Sequence, residues 1–408
     1  MNIVGIVVEY NPLHNGHLYH LQNAKIKTNA DLVIAVMSGS FLQRGEPALL
    51  SKWERTQLAL QAGVDIVIEL PYSYATQKAE IFAWGAVALL NEIGATHLCF
   101  GSEAGSLSPF LKTLESLKVH KDSYDQLLKA YINEGYSYPK SSALAFKKLG
   151  LDLKDLVDLS KPNNILGYHY IEAVQSLKTN MKVETLQRIQ AGYHETEITH
   201  THIASATAIR KALFSKSEKD SPAIGSLTPE YTAKLLTLHK NNTQLRGWEH
   251  YFSLLKYRLI TDSGEQLSRI YEAEEGLENR LKKMAINCSS YSEFMNAIKT
   301  KRYTWTRLQR LCTHILTGTT KTDMHAAQNK ALPDYVRLLG MSTNGQRYLN
   351  KIKKEMRLPL ITKIAGQHIP GLEIDIRAAE VYHLLRTDEP HEYQRTPIRY
   401  ERESNIFL

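Results

Sequence analysis

The sequence predicts an α/β fold with a parallel, doubly wound sheet, followed by a mostly α-helical domain. Three observations carry that expectation. In the first hundred residues, short apolar, β-branched runs alternate with segments of helical periodicity. The loops bearing Gly, Asn and Ser follow those runs, at the carboxyl ends of parallel strands, where ligands bind. Beyond a stretch rich in Ser, Lys, Asp, Gly and Pro at 215–229, helical patterns dominate.

Residues 3–8 read as a buried strand, Asn11-Pro12 breaks it, and helical periodicity runs over 17–27. Further strands are expected at 31–37, 65–69 and 96–100, separated by helices at 52–62 and 78–93. Residues 106–159 are helical and mixed in charge. Tyr124, Tyr131, Tyr136 and Tyr138 there suit half-buried packing better than stacking on RNA bases. Pro162 and the paired Asn163 and Asn164 open another helix, 186–189 ends a strand, and a helix from 203 continues through Leu213. After the linker, helices are expected at 231–238, 248–260, 265–285, 291–300 and 303–316. The expected division is a catalytic domain at 1–220 and a basic helical domain at 230–408.

A chain of 408 residues with 43% hydrophobic content can bury a substantial core. No apolar run reaches membrane-spanning length, and the start lacks a signal peptide's basic segment, so a soluble cytoplasmic protein without a membrane partner is expected. Cys99, Cys288 and Cys312 form no CxxC pair, which argues for reduced packing residues and against a structural metal. No stable protein partner is expected. The net charge of +8 is unevenly placed: residues 1–200 carry 18 basic against 20 acidic side chains, residues 201–408 carry 32 against 22. A second half of +10 points to a polyanion such as RNA, with a solvated basic surface as the plainer explanation.

The chemistry concentrates in the first strand–loop–helix, where His14 and His17 flank Gly16 in an HxGH pattern. Glycine lets a bulky ligand approach the backbone, the new helix N-terminus attracts anions, and two imidazoles stand beside it. That is a phosphate site. The polar loop at 38–51 adds Arg44, and Lys52 and Arg55 follow on the next helix. Cations there suit nucleotide phosphates or RNA backbone, or are simply solvated. Ser205 and Thr207 open the helix that carries Arg210, another hydroxyl-and-N-terminus arrangement suited to phosphate. In the second half, 299–310 is the densest basic and aromatic run. Lys301, Arg302, Arg307 and Arg310 there are candidates for RNA phosphates, with Tyr303 or Trp305 to stack.

These residues carry a family resemblance. The stretch 5–17 resembles the first motif of the HxGH nucleotidyltransferase superfamily. Residues 37–47, 52–55, 68–71, 100–103 and 161–167 resemble the tRNA(Met) cytidine acetate ligase family within it. The resemblance implies the Rossmann-like sheet of that superfamily and a nucleotide held by Val7, Val8, Glu9, Tyr10, Asn11, Pro12, Gly16 and His20. It extends the site to Gly101, Asn163, Arg188 and Ile189, with Ser205 and Thr207 in a motif where Ala206 replaces a serine. Glu103 departs from the superfamily's Asp.

By the same resemblance, His14 and His17 are catalytic. They stabilise charge on the α-phosphate of ATP while acetate attacks it, Mg²⁺ shields the departing pyrophosphate, and an acetyl-adenylate forms. The implied acceptor is the wobble cytidine of elongator tRNA(Met), whose amine becomes N4-acetylcytidine. No residue declares itself as base for that amine. Two alternatives remain at this level: a small-molecule adenylyltransferase of the same superfamily, and a nucleotide-sensing RNA-binding protein without catalysis.

Overall fold

The computed structural model describes residues 1–136, 138–150, 155–188, 204–215, 224–274, 276–328, 332–386 and 389–408. Its centre is β1 (Ile3–Val8), joined in parallel to β2 (Leu32–Ser38) on one side and to β4 (His97–Ser102) on the other. β3 (Ile66–Leu70) pairs in parallel with β2, and β5 (Lys182–Gln187) with β4. The order 5-4-1-2-3 reverses direction between β1 and β4. Such a switch point leaves a crevice at the carboxyl ends of the two strands.

The double winding follows from the alternation of side chains. Along β2, Leu32, Ile34 and Val36 enter one core, with Phe82, Ala86 and Leu90 of the helix Ala79–Glu92 and Ile171 and Val174 of the helix Pro162–Ser176. Val33, Ala35 and Met37 enter another, with Leu21 and Ala24 of the helix Asn15–Thr28 and Trp53 and Leu58 of the helix Lys52–Ala62. Both faces are covered, which is why the central β1 and β2 are almost wholly apolar. The elements expected through residue 100 are observed within about two residues.

The sheet continues where no strand was expected. β6 (Val336–Ser342) adds antiparallel to β3, flanked by β7 (Leu360–Ile361) and β8 (Ile398–Glu401), and β9 (Ile406–Phe407) closes the edge. Arg337 and Gly340 disguise β6 in the sequence. The first lies 1% exposed with Glu392 at 3.5 Å, and a Cβ on the second would sit 2.6 Å from Thr56.

Between these strands, the helices Trp248–Thr261, Leu277–Asn287, Tyr291–Ile298 and Trp305–Thr317 bury a separate apolar core. The helix expected at 265–285 is split, because Glu272 and Gly276 take left-handed φ values of 62° and 73°. Phe41, Leu42 and Ala48 from the loop after β2 penetrate this helical core. Tyr124 bonds Ser142 at 2.7 Å, and Tyr131 packs edge-on against Tyr136.

Candidate active site

At the switch point lies a cleft of about 290 Å³, walled by the ends of β1, β4 and β5 and by three helices. The helix Asn15–Thr28 begins at its floor. His14 is the N-cap, its Nδ1 accepting the Gly16 N–H at 3.1 Å, while Nδ1 of His17 accepts the His14 N–H at 3.4 Å. This reciprocal cap stacks the two rings at 3.8 Å, and Tyr10 meets His17 edge-on at 5.1 Å.

Because Nδ1 of His14 accepts from the main chain, its proton resides on Nε2. Burial, aided by Arg188 and Arg210, lowers the His14 pKa to about 3. Burial and then His14 itself hold His17 well below the usual histidine range, against a hydrogen bond to the Pro12 carbonyl. His20 falls to about 4 through burial and Arg188, and its Nε2 is buried without a partner among the described residues. At neutral pH these rings are uncharged hydrogen-bond donors. Two stacked imidazolium ions would repel; two neutral rings do not.

Val7, Val8, Glu9, Tyr10, Asn11, Gly16 and His20 line the cleft with the two histidines. Gly101, next to last in β4, faces the cleft, and a Cβ on it would lie 3.4 Å from Arg188 Cγ and 3.6 Å from His20 Cδ2. Asn163 and Arg188 line the opposite wall, 3.5 Å apart. Ser205 caps the helix Ala206–Phe214 by accepting the Ala208 N–H at 3.1 Å, with Thr207 exposed beside it. Arg210 reaches back to the Asn11 carbonyl and to Glu46, both at 2.9 Å. Pro12 does not line the cleft, and Ile189 lies outside the described residues.

Glu103 acquires a role the sequence left open. Its Oε2 accepts the Asn164 N–H at 2.9 Å and its Oε1 the Asn163 amide at 2.7 Å. Asn164 Oδ1 in turn accepts the N–H groups of Glu103 and Ala104. The clasp ties the end of β4 to the helix Pro162–Ser176, whose Asn163, Leu166 and Tyr170 line the cleft. Their i, i+3, i+7 spacing is one helical stripe, a signal present in the sequence but not used. Phe82, Phe100 and Glu46 were also missed.

Two expectations are corrected. Lys52 is 1% exposed, its Nζ 2.8 Å from carboxylate oxygens of both Glu69 and Glu392. Arg55 is fully buried and donates to the carbonyls of Glu9 at 2.8 Å, Ser38 at 2.9 Å, Leu50 at 3.1 Å and Gly39. Neither reaches phosphate or RNA; both brace the loops from beneath. Arg44 does line the cleft, on a loop whose Gly45 carbonyl accepts from Trp248 Nε1 at 2.8 Å and Thr313 Oγ1 at 2.7 Å.

The basic run divides. Arg307 pairs with Glu274 at 2.6 Å and Arg310 with Glu272 at 2.8 Å, so both charges are balanced within the helical part. Lys301 and Arg302 are exposed, as is Trp305, 38% accessible.

Among the described residues, no three His, Cys, Asp or Glu side chains are placed to hold a metal ion, and no helix is long and apolar enough to cross a membrane.

Comparison with known proteins agrees with this geometry. Residues 1–396 match the HIGH Nucleotidyl Transferase family. The tRNA(Met) cytidine acetate ligase of Halalkalibacterium halodurans is 48% identical over 98% of both chains, and that of Bacillus subtilis 47% identical over the whole of both. Thermotoga maritima TmcAL in its apo form superposes with a TM-score of 0.89 at 31% identity, over 98% of this chain and all of that one. The same protein bound to alpha-thio ATP gives 0.87 at 30% identity and equal coverage. With its histidine pair, switch-point cleft and full-length likeness to these enzymes, the chain belongs to the HIGH nucleotidyl transferase family, among its tRNA(Met) cytidine acetate ligases.

Proposed function

We propose that this enzyme activates acetate with ATP and transfers the acetyl group to N4 of the wobble cytidine of elongator tRNA(Met), releasing AMP and pyrophosphate. The observation that carries the reading is the stacked, neutral His14–His17 pair at a helix N-terminus, inside a cleft that Asn163, Arg188 and Arg210 also line.

In the first step an acetate oxygen attacks the α-phosphorus, and the bond to pyrophosphate breaks. Charge gathers on the non-bridging oxygens as it does so. The neutral Nε2–H donor of His14 and the helix N-terminus meet that charge without having to be desolvated as ions first, with His17 stacked against His14 to hold its ring. Arg188 and Arg210 supply positive charge at the rim, and the turn at Ser205–Thr207 faces the phosphates with hydroxyls. Mg²⁺, when bound with the triphosphate, would shield the charge of the departing pyrophosphate. In the second step the cytidine amine takes the acetyl group from the adenylate.

In this reading residues 1–220 house the chemistry, and the basic part from 230 holds the tRNA, with Lys301 and Arg302 the exposed cations of its densest run. We place the enzyme in the cytoplasm, where its substrates are, and assign it no stable protein partner. Isotope exchange tests the first step. Labelled pyrophosphate should enter ATP only when acetate is present. Exchange supported instead by a phosphorylated cofactor precursor would favour a small-molecule adenylyltransferase, and binding of ATP with no exchange at all a non-catalytic nucleotide sensor.

A further inference from the structure

The second step needs a base, and the cleft holds a carboxylate that the first step does not need. Glu9 follows β1 and lines the same cleft as His14 and His17. Its Oε1 is pinned by the Gln43 N–H at 2.8 Å and lies 3.5 Å from Ser38 Oγ, while no hydrogen bond or ion pair reaches Oε2 among the described residues. The other carboxylate of this wall, Glu46, is committed to Arg210. An unpaired acid is misplaced for holding a triphosphate. It is well placed for an amine, because a carboxylate accepts from the exocyclic N4 of cytosine.

The histidines are poor rivals for the role. Nδ1 of His14 and of His17 already accepts a main-chain N–H, which leaves the proton on Nε2 and no lone pair for another. His20 stands beside Gly101 and Arg188, where burial and the Arg188 cation oppose its taking up a proton.

We propose that Glu9 is the general base for acetyl transfer, Oε2 accepting a hydrogen bond from the cytosine N4 amine and then its proton. The proposal rests on the acetylcytidine reading above. The N4 lone pair attacks the acetyl carbonyl carbon, and the new C–N bond forms. The bond from that carbon to the phosphate oxygen breaks, and AMP leaves with the electron pair. The proton lost by N4 passes to Glu9 and from there to water. The groups facing Glu9 are Arg44 and Glu46 of the loop, Arg55 of the helix beneath and Tyr170 of the helix opposite. Burial raises the carboxyl pKa, with Glu46 adding to it and the Gln43 N–H and the two arginines opposing. A raised pKa strengthens the base while it remains ionised.

The test separates the half-reactions. Acetate-dependent exchange of labelled pyrophosphate into ATP, without tRNA, reports the first. Single-turnover transfer of labelled acetyl to elongator tRNA(Met) reports the second. Glu9→Gln keeps an acceptor for the Gln43 N–H but cannot take a proton. Transfer should fall about 10²- to 10⁴-fold relative to exchange, whatever Glu9 contributes to holding the nucleotide, and the acid limb of the transfer rate should vanish. Glu9→Asp should restore part of the transfer. Unchanged transfer in Glu9→Gln overturns the proposal, and so does an equal loss in both half-reactions, which marks a loop-ordering or ATP-holding role. If Glu9→Gln does not fold, Glu9→Asp carries the test: slower transfer with a displaced acid limb supports the base, an unmoved limb refutes it. Exchange without any transfer by the unaltered enzyme would instead sink the cytidine reading, and Glu9's role with it.

Discussion

At the scale of single residues, the site depends on charges that are withheld. His14 titrates near 6.5 when unfolded and near 3 when folded, because burial and two arginines oppose its protonation. The unfolded chain therefore binds the extra proton first as pH falls. Stability is intact above about 6.5 and declines toward 3, by up to about 1.4 kcal/mol per pH unit for this residue. In His14→Asn, which keeps a good N-cap, the fall in unfolding free energy from pH 7 to 5 should be shallower than in the unaltered protein; urea titrations at both pH values measure the difference. Lys52 illustrates the opposite situation, a buried cation shared by Glu69 and Glu392. Lys52→Met strands two buried carboxylates, and we expect a loss of about 3–5 kcal/mol with the salt dependence of tRNA binding unchanged. A weaker salt dependence at full stability would return Lys52 to the RNA-facing set.

At the scale of elements, the loop at 39–51 joins the nucleotide cleft to the helical core. Gly45 takes a φ of 76° against the helix Trp305–Thr317, where a Cβ would lie 2.6 Å from the Arg310 backbone. Gly45→Ala should cost about 1–3 kcal/mol by thermal unfolding and loosen Arg44 at the cleft, raising the KM for ATP. The sequence showed where such loops begin, because buried parallel strands are apolar runs and their breakers stand out. It could not show where the cations on the following helix point. Lys52 and Arg55 lie in a pattern that suits a phosphate site, and only their partners reveal that they are buried: Glu69 of β3 and the distant Glu392 for Lys52, the carbonyls of Glu9, Ser38, Gly39 and Leu50 for Arg55. β6 was hidden for the same reason: Arg337 is tolerable in a central strand only beside an acid 55 positions later.

At the scale of the whole molecule, the +10 of residues 201–408 suits a polyanionic substrate, whereas residues 1–200 carry almost no net charge and place Arg44 and Arg188 at the cleft. The HxGH turn made the nucleotide half legible, since its chemistry is local. The basic half was less so, because a charge count does not distinguish Arg307 and Arg310, paired with Glu274 and Glu272, from Lys301 and Arg302, which are exposed. Replacing Lys301 and Arg302 by Gln should weaken tRNA binding and lower the slope of log K against log salt by about 1 for each phosphate no longer neutralised. The same changes at Arg307 and Arg310 should act mainly on stability.

The most direct measurement is nucleoside mass analysis of unmodified elongator tRNA(Met) after incubation with the enzyme, ATP, Mg²⁺ and isotope-labelled acetate, with initiator tRNA as the control. The account predicts labelled N4-acetylcytidine in the elongator tRNA alone, with AMP and pyrophosphate released alongside. Label in neither tRNA, although ATP binds, would contradict it.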